Sequence, residues 1–426
     1  MIIFFDIILV FFLFLITIKN KQFDILNPSL IYLFIHVLFV TFKGIQTLVF
    51  GSEIISNRFY STYITIDDIA KAIMIADLGL LAFFIGFYMF KNKFSNKGKR
   101  LLLKYAVIVE ERPKLIKIYM ILVIILGIIG LLSYTFIPGI GKENFATGTF
   151  TSILASLGMI SSIILIYEYG FKFKFVLFFV GMCLIYSIQG VNRYRVILPL
   201  LFLLLYYLKI KKLKFPPLKF MIIGFVVILL SFPLKEIGYS IRDGQKIELT
   251  EIIAKSFKDL VSGESGDLAF IEQSAAMINS TDDKNIIFYG RTYMPILIFW
   301  IPRDYWKEKP KLNEWQFEIS SAGRDYGEMG QISLLTGEAY ANFRLFGVFF
   351  IPLLVGIFYS KIYFSFSKLH EKHKGFLLLL IYNMILFQTW RDGLISLILF
   401  PLLNYLPLIV LFFIKKPKIN KIAYTN

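Results

Sequence analysis

The chain has 426 residues, of which 57% are hydrophobic and 17% are aromatic, and its mean hydropathy is +0.69. These values exclude an ordinary soluble globular domain and favour a protein that lies within a bilayer. The net charge of +17 does not indicate nucleic-acid binding, because the lysines occur in short runs between apolar stretches, as in cytoplasmic loops that face anionic lipid. A single cysteine, Cys183, excludes an intrachain disulfide and a cysteine metal cluster.

Eleven apolar stretches are long enough to cross a membrane, since about 20 helical residues span about 30 Å of hydrocarbon. They lie near residues 2–18, 28–50, 69–90, 115–136, 150–168, 173–190, 194–210, 218–234, 342–362, 375–391 and 394–414. We therefore predict an all-α, polytopic integral membrane protein with about 11 transmembrane helices. Within the spans we identify only Lys43 and Asp77 as charged, and we expect His36 to be a hydrogen-bonded interior residue rather than a catalyst. His370 and His373 fall among lysines and are expected to be solvated.

Lysines set the predicted orientation, because cytoplasmic loops are enriched in them. Lys19 and Lys21 follow the first stretch, which places the N-terminus outside, and alternation places the basic C-terminal tail inside. Residues 1–234 then hold helices 1–8, and residues 342–426 hold helices 9–11 and the tail. Between helices 8 and 9 lies one long extracytoplasmic loop, 235–341, which we expect to be catalytic.

Arginine is distributed differently from lysine. Only Arg100 and Arg112 fall in predicted inside loops, whereas nine others lie outside or at the outer membrane edge. The nine are Arg58, Arg193, Arg195, Arg242, Arg291, Arg303, Arg324, Arg344 and Arg391. Because a guanidinium group stays charged and binds phosphate or carboxylate with two hydrogen bonds, we interpret the outer set as a site for an anionic group. The alternative is that these arginines snorkel or pair with nearby acids.

The predicted outer loop contains two segments with structure of their own. Residues 247–261 carry apolar side chains at helical spacing, which predicts an amphipathic helix on the membrane or the bundle. Residues 292–301 are too short to span and are closed by Pro302, as in a re-entrant or interfacial segment. The polar, glycine- and arginine-rich stretch 290–347 is where we expect the chemistry.

Arginines at the outer rim form the predicted anion site. Arg193 and Arg195 lie between the sixth and seventh spans, and Arg391 lies in a short turn between the last two. These positions face one another if the bundle closes around them, at the depth where a pyrophosphate in the outer leaflet presents its charge. We assign pyrophosphate binding to Arg193, Arg195, Arg291 and Arg391.

Acids and aromatics in the same stretch complete the predicted site. Glu338, just before the ninth span, is our first choice as a general base, with Asp325 and Glu328 as alternatives. The predicted catalytic residues are Glu338, Arg303, Arg324 and Asp325. Aromatic side chains either stack on sugar rings or form an interfacial belt. The predicted sugar-binding residues are Tyr293, Trp306, Tyr326 and Tyr340.

The order of these features resembles the Wzy-type O-antigen or oligosaccharide repeat-unit polymerases of bacterial envelopes. The features are the outer-rim arginine pair, a late outer loop with PRDYWKEKP and AGRDYGEMG, GEAYANF before the next span, and the late rim arginine. Arg344 departs from the family pattern, which we expect to read Asn-Phe-Gly at this point.

The resemblance implies a metal-independent, inverting membrane glycosyltransferase without a cofactor. Undecaprenyl-pyrophosphate-linked oligosaccharides would be both donor and acceptor, and the growing chain would leave its lipid pyrophosphate when a fresh repeat unit attacks its anomeric carbon. The implied partners are these lipid-linked sugars, membrane lipid and, as a further candidate, a chain-length regulator protein, but no nucleic acid. The implied location is the bacterial plasma (inner) membrane.

Two other functions compete with this interpretation. A lipid-linked oligosaccharide flippase or other transporter would have facing ionisable residues at the midplane of several spans and mostly short loops. An O-antigen ligase, which transfers finished polymer to another acceptor, is not separated from a polymerase by these residues. A purely structural membrane scaffold is the remaining alternative.

Overall fold

The computed structural model describes residues 1–20, 23–51, 64–104, 113–136, 145–188, 194–218, 222, 233, 237, 249–254, 269–301, 305–309, 315 and 333–414. Every regular element in these ranges is helical, as the sequence predicts. The helices are α1 (Ile2–Lys19), α2 (Pro28–Phe50), α3 (Ile66–Met89), α4 (Lys91–Lys104), α5 (Pro113–Phe136), α6 (Phe145–Tyr169), α7 (Phe173–Ile188), α8 (Tyr194–Ile210), α9 (Phe270–Asp283), α10 (Met294–Ile298), α11 (Leu334–Phe366), α12 (Lys374–Asp392), α13 (Leu394–Asn404) and α14 (Leu406–Ile414).

Four of the described helices, α1, α2, α3 and α11, are each long and apolar enough to cross a membrane. A fifth span results if α13 and α14, which meet at an angle of 71°, are counted together. Most of the predicted eighth stretch, 218–234, lies outside the described residues. The described helices therefore make this an integral membrane protein.

Two helices were not predicted from the sequence. Helix α4 occupies a lysine-rich segment that we assigned to an inside loop, although lysine and arginine are good helix formers. Helix α9 is polar in composition, yet most of its residues are buried. A polar sequence carries no apolar period that marks a helix, so only its neighbours make it part of the interior. Of the predicted amphipathic helix 247–261, residues 249–254 are described and helical.

The chain forms two compact units. The first comprises Met1–Asn92, Phe257–Tyr363 and Leu386–Leu399, and the second comprises Lys93–Ser256, Phe364–Ile385 and Phe400–Asn426.

Local signals start two helices of the first unit. The Asn27 side chain accepts the N–H of Ser29 at 3.0 Å, with Pro28 in the first turn of α2. Thr65 and Asp68 form a capping box at the start of α3, in which each side chain accepts the other residue's backbone N–H. These caps satisfy backbone donors that a helix leaves free in its first turn.

Helices α3 and α11 approach each other through glycines. A Cβ atom on Gly86 would lie 2.1 Å from the carbonyl oxygen of Leu353, and one on Gly356 would lie 2.2 Å from that of Phe83. Small residues at such contacts are common between membrane helices, because van der Waals packing replaces the hydrophobic effect there. The Tyr32 ring on α2 stacks on Phe83 at 4.4 Å and extends this core.

In the second unit, tyrosines tie helices to the loop between α11 and α12. The Tyr206 hydroxyl donates to the carbonyl of Tyr167 at 2.9 Å, and the Tyr167 hydroxyl donates to that of Glu371 at 2.8 Å.

The two histidines of that loop differ. His370 is exposed, as predicted, but the prediction for His373 is wrong, because its ring is buried and its Nδ1 accepts the N–H of Gly375 at 2.9 Å. Burial lowers the pKa of His373 to about 4, and the charges of Lys374 and His370 act in the same direction.

Helix α11 is kinked at Phe343 and Arg344. Arg344 has φ +54° and ψ −146°, a conformation that glycine adopts readily and other residues rarely do. The polar residues of GEAYAN precede the kink, and the long apolar segment follows it. The kink thus separates the part of α11 that carries the predicted site from the part that carries the predicted ninth span.

Candidate active site

Glu338 is the centre of a buried polar network in the first unit. Its side chain is buried, Oε2 accepts the N–H of Leu394 at 2.7 Å, and Oε1 accepts the hydroxyl of Thr292 at 3.2 Å. Leu394 is the first residue of α13, so the carboxylate satisfies a free N–H at a helix N-terminus, where negative charge is favourable. Glu338 therefore holds together α11, the turn at 291–293 and the turn between α12 and α13.

Asn342, one helical turn after Glu338, completes the network. Its Nδ2 donates to the hydroxyl oxygen of Thr292 at 2.6 Å and to the carbonyl of Glu338 at 2.9 Å. Its Oδ1 accepts the N–H of Gly290 at 2.9 Å. Residues four apart lie on one face of a helix, which is why Glu338 and Asn342 both reach the same turn.

Two glycines with positive φ allow the chain to pass close to this network. Gly290 has φ +86° and precedes the turn that carries Arg291 and Thr292. Gly393 has φ +89°, and a Cβ atom there would lie 2.0 Å from Oε2 of Glu338. The second position thus requires glycine both for its conformation and for the space it leaves.

Arg391 lies two residues before Gly393, at the end of α12. Its side chain is partly exposed, its Nε lies 3.2 Å from Oδ1 of Asp392, and its guanidinium carbon lies 5.9 Å from the centre of the Phe270 ring. Phe270 in turn packs on Trp390, with ring centres 5.9 Å apart. The aromatic contacts fix the side of α12 from which the arginine projects.

Asp282, at the end of α9, collects a second group of charges. Its carboxylate accepts hydrogen bonds from Arg344, from the Tyr340 hydroxyl at 2.9 Å and 3.0 Å, and from Lys71, whose Nζ lies 2.5 Å away. The Arg344 guanidinium also lies over the Tyr340 ring at 5.2 Å. Two cations therefore share one carboxylate, and their side chains remain partly exposed. In this arrangement the hydroxyl of Tyr340, a predicted sugar-binding residue, is bound to Asp282.

The other predicted binding residues of the first unit lie near the 291–293 turn or on the surface. Arg291 is exposed, and its guanidinium lies over the Phe288 ring at 5.1 Å. Tyr293 is half-buried and directly follows Thr292. Trp306 is 36% exposed, so its ring is accessible to a ligand.

Several predicted site residues cannot be compared with this network. Arg195 is buried and belongs to the second unit. Outside the described residues lie Arg193, Arg303, Arg324, Asp325, Tyr326 and the alternative base Glu328.

An ion pair attaches α9 to the transmembrane helix α2. Lys43 Nζ lies 2.6 Å from Oε1 of Glu272, and both side chains are buried. Burial raises the pKa of Glu272, while the ammonium group of Lys43 acts against this shift. The predicted intramembrane charge Lys43 thus has its partner on α9, which lies within the predicted outer loop.

A buried carboxylate in the first predicted span was not expected from the sequence. Asp6 of α1 is buried and contacts His36, which also contacts Asp77. The prediction that His36 is a hydrogen-bonded interior residue is confirmed, whereas the prediction that Lys43 and Asp77 are the only charges in the spans is wrong.

Sequence reasoning also missed Thr292, Asn342, Asp282 and Glu272. Thr292 lies in GRTY and Asn342 lies in AYANF, close to residues that were predicted to belong to the site. This closeness in the sequence was the signal that could have identified them. Asp282 and Glu272 had no such signal, because α9 was not recognised as a buried helix.

Comparison with known proteins agrees with these features. The chain matches the family model of the O-antigen polysaccharide polymerase Wzy over residues 1–420. No similar curated protein and no similar solved structure was found. Because the match covers nearly the whole chain, this membrane protein belongs to the O-antigen polysaccharide polymerase Wzy family, which acts on lipid-linked oligosaccharide repeat units.

Proposed function

We propose that this polymerase joins undecaprenyl-pyrophosphate-linked repeat units into surface polysaccharide at the outer face of the bacterial plasma membrane. Family membership supports polymerisation. The single observation that supports the site is the Glu338 network, which connects the turn that carries Arg291 to the turn that directly follows Arg391, here called the Arg391 turn. A rigid connection between these two turns would hold two arginines in place for a doubly charged pyrophosphate.

In the proposed reaction, a hydroxyl at the non-reducing end of a fresh repeat unit attacks the anomeric carbon of the growing chain. A glycosidic C–O bond forms while the bond to the lipid pyrophosphate breaks, and the electron pair leaves with the pyrophosphate. The hydroxyl proton passes to a carboxylate base. Arg291 and Arg391 stabilise the departing charge, together with Arg193, Arg195, Arg303 and Arg324, whose roles rest on the sequence alone. Because guanidinium groups supply the positive charge that stabilises the leaving pyrophosphate, we propose a reaction without a metal ion.

Glu338 has a role that its contacts support directly: it positions the Arg391 turn. Its predicted role as the general base requires in addition that the longer bond, to the Thr292 hydroxyl at 3.2 Å, be exchanged for one to the acceptor hydroxyl. Asp325 and Glu328 are the alternative bases. The aromatic rings of Tyr293, Trp306, Tyr326 and Tyr340 are proposed to hold sugars.

The proposed topology has eleven spans, with the N-terminus outside and the C-terminus in the cytoplasm. Residues 1–234 and 342–426 form the membrane bundle, and residues 235–341 form the extracytoplasmic catalytic loop. The lysine distribution supports this orientation.

A gel of surface polysaccharide from cells that lack this protein, run beside extracted lipid-linked intermediates, tests the proposal. We expect the long ladder to disappear while single repeat units are still exported. Restoring the gene should restore the ladder.

The same experiment separates the rival functions. Single repeat units that accumulate on the cytoplasmic side would replace the polymerase with a flippase. Full-length polymer that accumulates on its lipid carrier would indicate a ligase, and an unchanged ladder would leave only a structural role.

A further inference from the structure

Three helices of the first unit bring two aspartates and a histidine together in their interior. Nε2 of His36 on α2 lies 3.1 Å from Oδ1 of Asp6 on α1 and 3.1 Å from Oδ1 of Asp77 on α3. The side chains are at most 2% exposed. One potential ligand atom from each residue lies within 4.8 Å of the other two.

The protein does not satisfy this cluster by itself. An imidazole Nε2 carries at most one hydrogen, so it cannot donate a well-aligned hydrogen bond to two carboxylate oxygens at the same time. Among the described residues, Oδ2 of Asp6, Oδ2 of Asp77 and Nδ1 of His36 are buried and have no hydrogen-bond partner. The hydroxyl of Thr41 is also buried, next to Asp6. Each such atom costs about 1–3 kcal/mol when nothing pairs with it.

The backbone of α2 departs from regular α-helix at this point. A π-helical turn runs from Val37 to Thr41, directly after His36, and the N–H of Phe42 bonds to the carbonyl of Val37 five residues earlier. A π turn brings residues five apart closer to one face than an α-helix does, which moves Thr41 toward the side of His36. Such turns are rare in proteins overall, and those that occur often lie at functional sites.

Among the described residues, His36 is the only cationic partner of the two aspartates. When both carboxylates are ionised, the cluster carries a net charge of −1 with an imidazolium and −2 with a neutral imidazole. Lys43, also on α2, lies 2.6 Å from Glu272 and is paired there. Uncompensated charge inside a membrane bundle is costly and is usually kept for a function.

We propose that Asp6, His36 and Asp77 bind one divalent first-row metal ion, with zinc and manganese as the favoured candidates. Bonds of about 2.0–2.2 Å in tetrahedral geometry place ligand atoms about 3.3–3.6 Å apart. Nε2 of His36 lies 3.1 Å from each of the two carboxylate oxygens, so a small outward movement of the side chains would admit the ion. Imidazole favours zinc, and carboxylates favour manganese, so a mixed set fits these two ions. The ion fastens α1, α2 and α3 together and takes no part in glycosyl transfer.

Metal binding to the full-length protein in detergent tests this site. The protein is stripped with a chelator and titrated separately with Zn²⁺ and Mn²⁺, and the bound metal is counted by mass spectrometry after desalting. We expect one ion per chain from at least one metal, and at least 100-fold weaker binding in Asp77→Asn and His36→Gln. His370→Gln, which changes an exposed histidine, is the matched control and should bind as the unchanged protein does.

The result for the unchanged protein decides the proposal even if a variant fails to fold. Less than stoichiometric binding of both metals would overturn it. Stoichiometric binding that Asp77→Asn and His36→Gln leave intact would place the ion elsewhere and overturn it as well. Neither outcome affects the polysaccharide ladder assay, so failure here is distinguishable from failure of the polymerase proposal.

Discussion

The Glu338 network and the Asp6–His36–Asp77 cluster both lie buried in the first unit, but protein atoms satisfy them to different degrees. Both oxygens of Glu338 accept hydrogen bonds, from Thr292 and Leu394. In the cluster, one oxygen of each aspartate has no partner among the described residues. Since an unpaired buried polar atom is destabilising, the first arrangement is complete without a ligand and the second is not.

This difference separates two uses of buried polar residues in one bundle. A complete network rigidifies the elements that it joins, here the turns next to Arg291 and Arg391. An incomplete cluster provides ligand atoms for a cation. Changes to the network should therefore reduce activity under all conditions, whereas changes to the cluster should lower stability only when metal is present.

Replacing Arg391 should have the largest effect. Arg391→Ala removes a cation from the proposed pyrophosphate site and should reduce polymerisation by about 10²–10³-fold, the usual effect of losing one charge-stabilising donor. Arg391→Lys should restore only part of the activity, because lysine is a point charge without two parallel donors. The readout is ladder length and amount at equal protein level. Arg100→Ala, at an exposed position, is the control, and equal ladders in both alanine variants would contradict the assignment.

Glu338→Gln should reduce polymerisation by about 10²-fold. The amide has one acceptor oxygen where two donors, Thr292 and Leu394, need two, so the side chain loses one of its two hydrogen bonds to the flanking turns. A pH–rate profile of purified protein separates positioning from base catalysis. If the variant keeps the acidic limb of the wild-type profile, Glu338 positions only; if that limb disappears, Glu338 is the base. Glu251→Gln, at an exposed site, should be neutral, and full activity of Glu338→Gln would exclude both roles.

Gly393→Ala tests how closely the network is packed. The added Cβ atom would lie 2.0 Å from Oε2 of Glu338, at a position with φ +89°, so the turn must shift. We expect at least a tenfold loss of activity and a lower melting temperature. The matched control is Gly181→Ala, because a Cβ atom there meets nothing within 4 Å. Equal melting temperatures for the two variants would show that the network tolerates movement.

Asp77→Asn should not lower the melting temperature when metal is absent. In chelator, loss of one carboxylate removes uncompensated buried charge, so the melting temperature should stay equal or rise. With Zn²⁺ or Mn²⁺ added, only the unchanged protein should gain stability, in proportion to the logarithm of metal concentration. A large fall in melting temperature in chelator would mean that the cluster is already complete without an ion.

Replacing Arg344 should have the smallest effect on the melting temperature, because backbone strain and a weak ion pair act in opposite directions at this residue. The residue holds a conformation that strains a non-glycine residue by about 1–3 kcal/mol. Its partly exposed ion pair with Asp282 contributes about 0–1 kcal/mol. Arg344→Gly should therefore match or exceed the unchanged protein in melting temperature. Arg344→Ala keeps the strain without the ion pair and should melt below Arg344→Gly, and the reverse order would contradict this account.

The candidate site could be predicted only in part. Glu338 and Arg391 were recognised because a carboxylate or an arginine beside a predicted span is unusual. Thr292 and Asn342 were not, since neither residue type is unusual in its segment and their importance lies in the contact between them, 50 residues apart in the chain. The link between Lys43 and Glu272 depended in the same way on a polar helix that carries no apolar period.

The sequence by itself determined that this is a helical membrane protein, and it predicts that the chemistry lies near residues 290–347. Those properties follow from local patterns, because apolar length and charge type act within one segment of the chain. Only the tertiary structure decided which polar residues meet: His36 contacts Asp6, 30 residues away, and Asp77, 41 residues away. Such contacts depend on how helices pack, and packing is a property of several segments at once that no single segment encodes.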